Sequence, residues 1–177
     1  WFYGLLFCSM GMVSCHDDEI MQEIPESPKP IQVILDTDLG NCTDDVLAMQ
    51  ALFQLQQQGL CEVIGLMTDC KSEKCRQLAD CFLHYYKADD VPLGILPGEE
   101  PLFEITPYYQ LVDSLRADGT PLFPPTDIPM SQRLTACELY RKLLAEAEDE
   151  SVVIVCIGMY TNLGLLLDSA PDAYSPL

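Results

Sequence analysis

The segment from Val33 to Met49, VILDTDLGNCTDDVLAM, places four carboxylates (Asp36, Asp38, Asp44 and Asp45) within ten positions, and the nearest basic residues along the chain are Lys29 and Lys71. Like charges this close raise one another's pKa and oppose folding unless something positive sits among them. Every candidate donor is an oxygen, so the natural neutraliser is a hard divalent cation. Asp44 and Asp45 alone would make an ordinary acidic first turn of a helix, favoured by the helix dipole. The whole cluster, with no base near it in sequence, points instead to an ion-binding site.

The elements around the cluster are those that could make four acids converge. Asp36 and Asp38 end the apolar, β-branched run IQVILDT (Ile31 to Thr37), which has strand length, and their spacing of two starts both side chains on the same side of the chain. Gly40 allows a tight turn. Asp44 and Asp45 then open TDDVLAMQALFQLQQQG, a helix with Thr43 as N-cap, Val46, Met49 and Phe53 on one face, and Gly59 at its end. Further along, the pattern predicts a strand over Cys61 to Thr68, a helix near Ser72 to Lys87 and a short strand around Val91 to Leu96. Loops rich in Gly and Pro follow, flanking a helix-like YYQLVDSLR. The last unit reads as a helix from Ser131 to Glu148, the apolar strand Ser151 to Gly158, and a helix start at TNLGLLLDS. Apolar strands alternating with amphipathic helices predict an α/β fold: an open, mostly parallel sheet with helices on both faces. In such sheets ligands bind in the crevice beyond the carboxyl ends of the strands, where the acids fall.

Composition narrows the function classes. With 177 residues, 49% hydrophobic and 21% charged, the chain can bury a core, and no internal repeat is visible. A net charge of −19 with nine Lys and Arg excludes a basic face for nucleic acid and a polybasic anchor for anionic lipid. Past Cys15 there are seven cysteines, Cys42, Cys61, Cys70, Cys75, Cys81, Cys137 and Cys156. That odd number rules out full pairing within the chain. Cys70, Cys75, Cys81 and His84 can be drawn as a zinc site, but no CxxC pair occurs, and small buried apolar residues are the simpler reading.

The N-terminus, WFYGLLFCSMGMVSCHDDE, is uncharged from Trp1 to Cys15 and then turns acidic. That apolar run falls short of the about 20 residues that span a bilayer but matches the apolar region of a signal peptide. Met12-Val13-Ser14-Cys15 resembles a bacterial lipobox. On this reading residues 1–15 form the signal peptide and Cys15 is the lipid-bearing first residue of the mature chain. Residues 16–30, HDDE through the Pro-rich IPESPKP, are then a tether, and the protein is lipid-anchored at the bacterial cell envelope.

VILDTDLGNCTDDVLAM is similar to the N-terminal signature of the calcium-dependent, inosine-uridine-preferring nucleoside hydrolases, a DxDxG followed by a DD on the next helix. IVCIGMYTNLGLLL resembles their second signature, a strand, a short Gly-containing turn and TNL at a helix start. The resemblance runs from Ile31 to Leu177. It implies a nucleoside hydrolase-like, Rossmann-like α/β domain that is incomplete at its C-terminal end. It also implies calcium as cofactor, a ribonucleoside as substrate, and room for a homo-oligomer. Carried over position by position, Asp38 would bind calcium and act as general base on water. Asp45 would be the second carboxylate ligand, the Ile157 carbonyl a third ligand, Asp44 the holder of the ribose hydroxyls, and Asp36 a support for its acidic neighbours. The reaction implied is hydrolysis of the N-glycosidic bond by a calcium-activated water attacking C1′.

The sequence also departs from that pattern. GNCTDD has two more residues between Gly and the acid pair than the commonest form, Ser72 falls where relatives often carry a ribose-contacting Asn, and GMY replaces smaller residues in the second signature. Two alternatives stand beside the hydrolase reading. One is a non-catalytic nucleoside- or sugar-binding lipoprotein that keeps the crevice. The other is a magnesium-dependent phosphatase with a DxD motif, which Gly40 and the Asp44-Asp45 pair fit poorly.

Overall fold

The structure, a computed structural model, describes residues 29–40, 42–98 and 107–174; Cys15, the leader and most of the tether lie outside them. Four strands, β1 (Ile31–Thr37), β2 (Cys61–Thr68), β3 (Leu93–Ile95) and β4 (Val152–Cys156), form a sheet in the order β3-β2-β1-β4. Every pairing is parallel. Four α-helices alternate with them: α1 (Asp44–Gln57), α2 (Glu73–Tyr85), α3 (Ala136–Glu146) and α4 (Thr161–Leu167). The parallel α/β architecture with helices on both faces is the one the sequence pattern predicts.

Alternation along β1 sorts the two layers. Leu35 packs with Met49 and Phe53 of α1 and Leu78, Ala79 and Leu83 of α2 on one face. Ile34 points the other way, into Ala136, Leu139 and Tyr140 of α3 and Leu166 of α4. After β3 the chain crosses to the opposite face, and β4 joins the sheet on the far side of β1. The strand order therefore reverses between β1 and β4, and a crevice opens where the two adjoining strands send their following segments apart.

Local structure differs from the pattern at the start of α3, at Thr43 and around Tyr108. The last long helix begins at Ala136, not Ser131, and ends at Glu146. Residues Met130–Gln132 form a separate 3₁₀ turn, and the true start is a capping box in which the Thr135 hydroxyl accepts from the Glu138 N–H while the Glu138 carboxylate accepts from the Thr135 N–H. Thr43 does stand at the N-cap of α1 but gives the helix no side-chain hydrogen bond; its hydroxyl is engaged by the Tyr108 hydroxyl instead. Tyr108 and Tyr109 belong to a 3₁₀ segment, Pro107–Asp113, where the sequence read helix-like. The Tyr109 ring lies against Gly40, whose φ of +102° and lack of Cβ both serve the turn between β1 and α1.

Candidate active site

The carboxyl ends of β1, β2 and β4 meet at one edge. Beyond the paired strands the ladder continues for one step on each side of β1: the Asp69 N–H donates to the Thr37 carbonyl (3.1 Å) and the Ile157 N–H to the Asp36 carbonyl (2.9 Å). Asp36, Asp38, Asp69 and Ile157 are thereby held at the same level of the sheet, with the N-terminus of α1 rising beside them.

Each acid sits differently. Asp36 is fully buried, and its side chain is drawn toward the α3–α4 layer. There it accepts from the Tyr140 hydroxyl (2.9 Å to Oδ2) and from the Asn162 amide (2.9 Å to Oδ1). Burial pushes its pKa up to about 6, against the lowering effect of those two donors. Asn162 belongs to the TNL at the head of α4, so this bond ties the second motif directly to the first. Asp38, just past β1, is nearly buried at 9% exposure. Asp45, on the first turn of α1, is 2% exposed and accepts from the Thr37 hydroxyl at 2.6 Å. Its pKa is raised to about 6, first by burial and then by the charges of Asp38 and Asp44, while the Thr37 bond opposes the shift. Asp44 is exposed at the start of α1, open to the crevice edge, and Ile157 is half-buried one residue past β4.

The pattern of acids missed one member. Asp69, one residue past β2, is fully buried, and neither carboxylate oxygen meets a side-chain donor; the Met159 backbone is the hydrogen-bonding group beside it. Its pKa is pushed up to about 8, chiefly by burial and then by the charges of Asp36 and Asp38, with only the Met159 backbone lowering it. A signal for it exists in the sequence: Thr68 ends an apolar strand as Thr37 does, and in parallel register the residue after each lies at the same edge.

Among the groups that shift Asp36, Asp45 and Asp69 there is no Lys or Arg. The cluster is therefore anionic, poor in counter-charge and made of oxygen donors, a set that suits a hard cation and not a soft one. Among the described residues no three His, Cys, Asp or Glu side chains stand in a metal-holding group, so Asp38 and Asp45 would need a main-chain oxygen such as that of Ile157, or water, to complete a shell. Cys70, Cys75 and Cys81 are buried free thiols, and His84 pairs with Asp89 at 2.7 Å.

Fold and site together define a parallel α/β protein with a buried acidic crevice at the point where its strand order reverses. The chain belongs to the inosine-uridine preferring nucleoside hydrolase family, whose sequence profile matches residues 33–177. The pyrimidine-specific ribonucleoside hydrolase RihA of Escherichia coli (strain SMS-3-5 / SECEC) is 28% identical over 147 residues, which make up 83% of this chain and 46% of that protein. Two solved structures share the fold. One is the type III effector XopQ complexed with adenosine diphosphate ribose, with TM-score 0.57 and 19% identity over 84% of this chain and 48% of that one. The other is the plant nucleoside hydrolase PpNRh1, with TM-score 0.53 and 20% identity over 78% and 43%. The chain thus spans about half the length of the relatives it matches.

Proposed function

We propose that the full-length protein hydrolyses the N-glycosidic bond of ribonucleosides, with calcium as its ion. Membership of a nucleoside hydrolase family supports the reaction class. The observation that carries the site assignment is the convergence of Asp36, Asp38, Asp45 and Asp69 at the carboxyl edge, with no Lys or Arg among the groups that shift Asp36, Asp45 and Asp69. A divalent cation bound there would supply charge that acidifies and orients the attacking water. Asp38 and Asp45 would hold it, with the Ile157 carbonyl at the end of β4 as a neutral third donor.

The chain's own groups then divide the work. Asp38, nearly buried and next to the crevice, accepts the proton of the attacking water, and its burial keeps bulk water from competing for that carboxylate. Exposed Asp44 accepts hydrogen bonds from ribose hydroxyls and fixes C1′ in line with the nucleophile. Asp36 touches no substrate: fastened by Tyr140 and Asn162, it anchors the end of β1 and the head of α4, the two segments that carry Asp38 and follow Ile157. Growing positive charge on the ribosyl ring in the transition state is favoured by the surrounding carboxylates.

The test is release of free base and ribose from a panel of ribonucleosides by the full-length protein, with calcium and with chelator. Turnover that needs calcium and falls by roughly 10²-fold or more in Asp38→Asn is expected, the scale of a lost general base. Near-normal turnover in that variant would refute Asp38 as base. Hydrolysis of phosphate esters with no ribosyl hydrolysis would move the assignment to the phosphatase reading. For localisation we hold to lipid anchoring through Cys15, supported by the lipobox-like Met12 to Cys15. Labelled palmitate should enter the wild-type precursor and not Cys15→Ala, and equal labelling of both would refute it.

A further inference from the structure

Asp69 has a partner problem that Asp36 does not. Both oxygens of Asp36 are occupied by neutral side-chain donors, Tyr140 and Asn162, whereas the equally buried Asp69 meets no side-chain donor and has only the Met159 backbone beside it. A buried carboxylate so poor in donors is uncommon enough to need a cause. The space it occupies is made by Gly158. A methyl group placed on that glycine would lie 2.5 Å and 2.9 Å from the two Asp69 carboxylate oxygens and 2.6 Å from the Asp38 amide nitrogen. The carboxylate thus reaches from β2 across the end of β1 to the turn after β4, and it lodges behind the Asp38 backbone. Sealed off from solvent, it does not meet substrate. The groups around it are Asp36, Asp38, Cys70 and the Met159 backbone, none of them a cation.

We propose that Asp69 is a positioning residue of the cation centre: a buried carboxylate behind Asp38, without a side-chain donor or a cation beside it, whose negative charge is matched only when a cation is held by Asp38 and Asp45. This rests on the reading of the crevice as a cation site. Gly158 is then required for a stated reason, since any side chain there would expel the carboxylate from its place.

Calcium titration calorimetry on the full-length protein tests it, with wild type, Asp69→Asn and Asp69→Ala measured alongside. Removing a unit charge from beside a divalent ion at an effective dielectric near 20 weakens binding by roughly 100-fold or more. Both variants should show that loss while keeping the wild-type circular dichroism and a calcium-free melting midpoint no lower than wild type, because a buried acid with no side-chain donor has gone. Terbium(III), which takes the same oxygen ligands with one more charge, should lose more affinity than calcium; a packing role would weaken both ions alike. Wild type that binds calcium while Asp69→Asn or Asp69→Ala binds within about threefold of it overturns the role of Asp69 alone. Equal losses for calcium and terbium(III) overturn it as well. Wild type that binds neither ion overturns the reading of the crevice and this inference with it.

Discussion

Tyr140→Phe isolates the support under Asp36. The phenol and the carboxylate are both fully buried and joined by a 2.9 Å bond, and burial beside Asp36 drives the Tyr140 pKa far above its ordinary value, so the hydroxyl stays protonated and donates. Phenylalanine keeps the ring and leaves no cavity larger than one oxygen. What is lost is the donor to Asp36 Oδ2, which then has no water to turn to. Hydrogen bonds to a charged acceptor contribute about 1.5–3 kcal/mol, and an orphaned buried acceptor costs a similar amount. At a urea m-value of about 2 kcal/mol per M, the unfolding midpoint should fall by roughly 1 M. The Asn162 bond to Oδ1 remains, so calcium binding should survive in the variant below its unfolding transition. Equilibrium urea unfolding followed by circular dichroism measures this directly. A loss below about 0.5 kcal/mol would show that Asp36 does not depend on Tyr140 and would refute the account of how β1 is anchored.

Two further outcomes follow from the same edge. Gly158→Ala puts a methyl group into contact with the backbone of Asp38 and the carboxylate of Asp69, and because a backbone atom cannot swing aside, the strand ends must part. Overpacking of this kind costs about 1–3 kcal/mol, so a lowered melting midpoint together with weakened calcium binding is expected; a variant with wild-type values for both would contradict the close packing there. The second outcome concerns pH. Asp36, Asp45 and Asp69 have folded-state pKa values raised to about 6, 6 and 8 from 3.8, so the folded chain binds more protons than the unfolded one across that interval. Their contribution to stability is whole below about pH 4 and is lost as pH rises through 6 and then 8. In chelator, urea unfolding should therefore show a higher midpoint at pH 5 than at pH 8, and the reverse order would refute the shifts.

The sheet was legible because its strands are short apolar runs with clear ends: Ile31–Thr37 and Cys61–Thr68 fall where the residues alone put them. The start of α3 was less so. Ser131 stands two residues after Pro129 and precedes an apolar periodicity, which reads as a beginning, but the reciprocal bonds of Thr135 and Glu138 set the boundary four residues before the first buried leucine of that helix. Of the site, Asp36, Asp38 and Asp45 were legible from spacing, since one turn brings them together. Asp69 was not, because its neighbours lie some thirty residues earlier and only strand pairing brings them near. Tyr140 was hidden for a related reason: on a helix a tyrosine facing the sheet looks like any core aromatic until the acid it meets is known.

The central claim is that this acidic edge is a cation site. Isothermal titration of calcium into the full-length protein and its Asp45→Ala variant tests it most directly, because Asp45 is a buried acid at the head of α1 with a side chain held by Thr37 and no other role in the core. The account predicts saturable calcium binding in the wild type that Asp45→Ala abolishes, with the variant still folded. A wild type that takes up no calcium, or an Asp45→Ala variant that binds it unchanged, would contradict the account.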